Sequence, residues 1–138
     1  MTSLKLSDLL TLKRTHCRAD DKSIRKIFEL IASKFSDSSG NEQASEIFKC
    51  FAKREALGST GLGNGIAIPH CRSKHTDCIK GALITLKNGL NFQAHDNQHV
   101  DIIFAIIAPE EVTEAHSDIL QAVQDAFSDE EFCEKLRD

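Results

Sequence analysis

The chain has no tryptophan and no tyrosine. Their absence removes the flat, hydrogen-bonding rings on which bases and sugars usually stack. Basic runs are also missing: Lys and Arg are scattered, and none is longer than Lys13-Arg14. With a formal net charge of −4 and a pI near 5.8, no basic face for nucleic acid is expected. Long apolar runs are absent too. The longest, Ile66 to Ile68 and Ile102 to Ala108, fall far short of the roughly 20 residues a helix needs to span a bilayer. The opening MTSLKLSDLLTLKR contains no continuous apolar core, so no signal peptide and no membrane insertion are expected. The five cysteines are an odd number without a C-x-x-C pair, the usage of reduced thiols in a cytoplasmic protein.

What is present suits one globular domain over residues 1–138, with 41% hydrophobic residues to fill a core. Lys5 to Leu10 reads as a short helical turn capped by Ser7. Ile24, Ile27, Phe28, Ile31 and Phe35 repeat at helical period, behind an N-cap at Asp20 or Asp21. After a polar loop from Ser36 to Asn41, a second helix over 42–57 carries Ala44, Ile47, Phe48, Phe51 and Ala52, with Gly58 as its C-cap. Lys80 to Leu86 reads as a strand, and Asn88-Gly89 as a hairpin turn. Val100 to Ala108 is a β-branched run of the kind buried on both faces. A strand covered on both faces needs helices on each side, so the pattern predicts a three-layer α/β/α sandwich. Pro109 ends that strand, and Thr113 caps a third helix over 114–127 with Ile119, Val123 and Ala126 inward. SDEE, from Ser128 to Glu131, has the form of a capping box, with Phe127 and Phe132 as its hydrophobic staple.

Four of the seven glycines fall in GSTGLGNGIAIPH, Gly58 to His70. The Walker spacing fails here, because Asn64 stands where the motif needs Lys. The dinucleotide fingerprint fails as well, because the helix precedes the glycines and the strand follows them. What remains is a loop poor in side chains, whose amides, with the Ser59 and Thr60 hydroxyls, can line an anion. Pro69 stops the strand and leaves His70 at its end, either as an ordinary surface histidine or as a presented functional group. His116 lies on the buried stripe of the third helix, a position equally suited to a satisfied core histidine. Arg54, in the last turn of the second helix, suits the helix dipole and can also fork onto phosphate oxygens. His70, Cys71, His75 and Cys78 are all possible zinc ligands, but their spacing matches no familiar site. His95 and His99 lie in a polar turn, and no metal is expected.

The block REALGSTGLGNGIAIPH, Arg54 to His70, resembles the signature of enzyme IIA domains of the bacterial phosphotransferase system. The match is to the fructose/mannitol class and its nitrogen-regulatory branch, and it continues through NFQAHDNQHVDIIFAIIAPEEVTEAH to SDEEFCEKL. The resemblance implies a mixed central sheet and a phosphoryl group carried on Nε2 of His70. His116 and Arg54 then serve as active-site partners, and Ser59, Thr60 and loop amides such as those of Gly61 and Asn64 hold the phosphoryl oxygens. It further implies a phosphohistidine carrier protein as donor, regulatory targets such as kinases or transporters, and no cofactor. A sugar-pathway role, passing phosphate to a membrane permease domain, is the alternative. Cys71 stands where the family usually has Gly or Ala, His99 replaces a common Pro, and Ser117 replaces the usual Leu.

Overall fold

The computed structural model describes residues 15–19, 23–36, 41–57, 61–76, 79–91, 99–111 and 114–137. The expected turn at Lys5 to Leu10 and the caps expected at Gly58 and Thr113 lie outside the described residues. Among the described residues, ten elements follow in order: β1 (Thr15–Ala19), α1 (Ile24–Phe35), α2 (Asn41–Leu57), β2 (Gly61–Gly63), β3 (Ile66–Ala67), β4 (His70–Arg72), β5 (Lys80–Leu90), β6 (Val100–Ala108), α3 (Glu114–Phe127) and α4 (Glu130–Arg137). None of the described helices is long and apolar enough to cross a membrane.

The strands form one mixed sheet in the order β1-β5-β6-β3-β2, with β4 also on β6. β6 runs antiparallel to β5 and parallel to both β3 and β4. Its side chains alternate between two cores, as the two-residue period of a strand demands. Ile103, Ala105 and Ile107 pack with Ile27, Ile31, Ile47 and Phe51 of α1 and α2. Ile102, Phe104 and Ile106 pack with Ile119, Val123 and Phe127 of α3 and with Cys133 of α4. The three layers expected from the buried run are therefore present. Aromatic contacts reinforce both sides: Phe35 stacks on Phe51 at 5.9 Å between ring centroids, and Phe104 tilts onto Phe127 at 5.4 Å.

Several local expectations are corrected. The N-cap of α1 is Ser23, whose hydroxyl accepts from the Lys26 amide at 3.2 Å, rather than Asp20 or Asp21. β1 occupies a polar stretch that carries no strand alternation, and pairs parallel with β5 at the sheet edge. α4 is capped by Asp129, whose carboxylate accepts from the Glu131 and Phe132 amides, while the Ser128 hydroxyl donates back to Asp125. Phe127 and Phe132 still meet, at 5.4 Å. Asn88-Gly89 is not a turn but part of β5; a Cβ on Gly89 would lie 2.9 Å from that of His99. The hairpin turn is Asn64-Gly65, joining β2 to β3 with both residues at positive φ (58° and 84°). The second half of the glycine-rich segment is thus a hairpin and not a loop. Arg137 of α4 pins that turn by donating to the Asn64 carbonyl at 2.9 Å and the Asp101 carboxylate at 2.8 Å.

Candidate functional site

β3 stops after Ala67, and β4 resumes on the same neighbour at His70. The break falls at Ile68-Pro69, where proline has no N–H to give the ladder. Its carbonyl still accepts from the Ile106 amide at 2.9 Å, so the register on β6 is unchanged across the break. His70 therefore opens a strand, where the sequence suggested a position just beyond one. Its ring bends back over the break, with Nδ1 3.0 Å from the Ile68 carbonyl oxygen. A carbonyl only accepts, so Nδ1 carries the proton and Nε2 keeps its lone pair in the neutral ring. Burial holds the imidazole below its ordinary value of 6.5; the Ile68 hydrogen bond opposes this, and the Arg54 guanidinium adds to it.

His70 lines a cavity of about 560 Å³ between α2, β4 and α3. Three cations line it as well: Lys53 and Arg54 from the last turns of α2, and Arg72, two residues along β4 from His70. Leu57, 82% exposed, and Leu120 supply apolar surface. Cys50 and Cys71 are the remaining described residues of the lining. A neutral ring nitrogen beside three cations can take and hold an anionic electrophile such as a phosphoryl group.

Of the residues singled out from the sequence, Arg54 and His70 are brought together. His116 lies in the first turn of α3, four residues before Leu120. Its side chain, like all of Ser59 and Thr60, lies outside the described residues. Gly61 opens β2, opposite Ala67. Asn64 is not brought to this cavity: its turn lies at the Asp101 end of β6, about 16 Å of strand from the Ile106 position that His70 faces. His75 is engaged by the Glu46 carboxylate, which is held below its usual range by that contact. Lys53, Arg72, Cys50, Leu57 and Leu120 were not anticipated. Spacing held a partial signal: Cys50 lies one helical turn before Arg54, and Arg72 shares the strand period of His70.

The family model described as "Phosphoenolpyruvate-dependent sugar phosphotransferase system, EIIA 2" matches residues 8–138. The chain belongs to that EIIA 2 family. The nitrogen regulatory protein of Escherichia coli (strain K12) is 35% identical over 142 residues, spanning 99% of this chain and 83% of the relative. The crystal structure of nitrogen regulatory protein IIA-Ntr from Neisseria meningitidis superposes with a TM-score of 0.89 at 31% identity, covering 96% of this chain and 90% of that one. The crystal structure of IIA mannitol from Escherichia coli, 17% identical, superposes at 0.73 over 94% of this chain and 90% of that one, a likeness of fold. EIIA 2 membership makes phosphotransfer the chemistry of this chain.

Proposed function

We propose that the protein accepts a phosphoryl group on Nε2 of His70 from an HPr- or NPr-like phosphohistidine carrier protein, and that its phosphorylation state controls partner proteins. The observation that carries this reading is the Nδ1 hydrogen bond to Ile68, which leaves Nε2 as the nucleophile among Arg54, Lys53 and Arg72. Attack of the Nε2 lone pair forms a new N–P bond as the donor's N–P bond breaks, its electron pair returning to the donor imidazole. Such a transfer depends on positioning and charge stabilisation. Arg54 and His116 hold the phosphoryl oxygens, together with the Ser59 and Thr60 hydroxyls and the Gly61 amide.

The regulatory output is supported by the nitrogen regulatory proteins among the relatives. A phosphoryl group would place dense negative charge in a cationic cavity, a change that a docked protein can read. His70→Ala is expected to abolish phosphate incorporation from a phosphorylated carrier. His116→Ala is expected to slow it about a hundredfold, as when one stabilising donor is lost, while leaving His70 able to be modified. Equal labelling of the His70→Ala variant overturns the assignment. Phosphorylated protein incubated with membranes and sugar is expected to keep its label; sugar-dependent loss would instead establish transport.

A further inference from the structure

The cavity holds two thiols that phosphotransfer does not use. Cys50 lies on α2, one turn before Arg54, and Cys71 follows His70 on β4. Both thiols line the cavity, the Cys50 thiol donates at 3.1 Å to the carbonyl of Arg72, the residue next to Cys71, and each thiol shifts the other's ionisation. Cys50 is half-buried at the cavity wall, and Cys71 is buried behind it, 6% exposed. From this placement we infer that Cys50 and Cys71 form an oxidation site for peroxide, closing to an intramolecular disulfide that ties the Arg54 helix to the His70 strand.

The two thiols are unequal in the way the chemistry requires. The contact with Cys71 lowers the pKa of Cys50, whereas the same contact and burial raise that of Cys71. Cys50, the more accessible and more acidic thiol, attacks the peroxide O–O bond as its thiolate. One oxygen becomes its sulfenic acid and the other leaves as hydroxide, which takes up the thiol proton to become water. The Cys71 sulfur then attacks the Cys50 sulfur; the S–S bond forms, the S–O bond breaks, and the Cys71 proton leaves with the oxygen as a second water. Two thiols are oxidised by two electrons, and one peroxide is reduced to two waters. Closure draws α2 toward β4 beside the nucleophile. Resting here on the proposed role of His70, it lowers phosphoryl acceptance about tenfold or more, since displacements near 1 Å are costly in aligned transfers.

The test treats the intact, folded protein with a few equivalents of hydrogen peroxide, alkylates the remaining thiols and maps peptides by mass spectrometry. A cross-linked peptide joining Cys50 to Cys71, reversed by dithiothreitol, is expected. Cys71→Ser is expected to stop at a sulfenic acid on Cys50, trapped by dimedone, and Cys50→Ser to give neither product. Both thiols recovered alkylated, or a disulfide joining another pair, overturns the site. Phosphate uptake is then compared before oxidation, after it and after reduction; an unchanged rate with the disulfide formed overturns its effect on the cavity. If the reduced protein takes up no phosphate, the proposed function fails, and the peptide map still decides the disulfide.

Discussion

A histidine nitrogen attacks only through an unprotonated lone pair, and one backbone atom together with burial decides which nitrogen of His70 offers it and over what pH range. The Ile68 carbonyl selects Nε2, and burial keeps the ring neutral below the ordinary value of 6.5. The acid-side midpoint of phosphate uptake is therefore expected to lie below 6.5. Initial rates between pH 8 and 5 check it, and a midpoint at or above 6.5 would contradict it. Stability follows the same sign. The unfolded ring takes up its proton near 6.5 while the folded ring resists, so this stabilisation is complete above 6.5 and is lost as pH falls through the lower folded value. In denaturant titrations His70→Gln is expected to lose less stability than wild type across that window. At this scale, the pairing of His70 with Arg54 was readable from the glycine block. The tautomer was not, because its determinant is a main-chain oxygen that no side-chain pattern encodes.

The same dipeptide behaves differently in two elements. Asn64-Gly65 makes the β2–β3 turn, whereas Asn88-Gly89 lies inside β5, in the stretch where its register with β6 shifts. Local sequence favours a turn at both sites. The difference comes from what packs against each glycine: Gly89 admits His99, and Gly65 admits Arg137 of α4 and Asp101 of β6. A Cβ at Gly65 would lie 2.6 Å from the Arg137 guanidinium and 2.8 Å from the Asp101 carboxylate, on a backbone at φ +84°. Gly65→Ala is expected to destabilise the fold by about 1–3 kcal/mol, the scale of backbone strain at such a position; chemical denaturation measures it. α1, α2 and α3 were readable because their apolar stripes repeat over two turns or more. The caps of α1 and α4 shifted by one to three residues because Ser23 and Asp129 compete with equally good neighbours. β1 escaped notice because a short edge strand needs little apolar alternation.

β6 is the spine of the whole molecule, touching both helical layers and carrying β3 and β4 along one edge. Phe104, fully buried against Phe127, represents that role. Phe104→Ala is expected to cost about 3–5 kcal/mol, read as a lower denaturation midpoint, while the protein that remains folded still takes up phosphate. The layered architecture was readable because a β-branched run covered on both faces admits few solutions. Strand order was not, since pairings such as β1 with β5 join segments far apart in the chain. The break at Ile68-Pro69 has a consequence for how such a protein can vary. The atom that sets the nucleophile belongs to the peptide backbone and survives any side-chain exchange that leaves the chain's path alone. The cations, leucines and thiols around His70 are free of that duty. Lineages can therefore rework the walls of the cavity, and with them the choice of interlocutor, while inheriting the same reactive nitrogen.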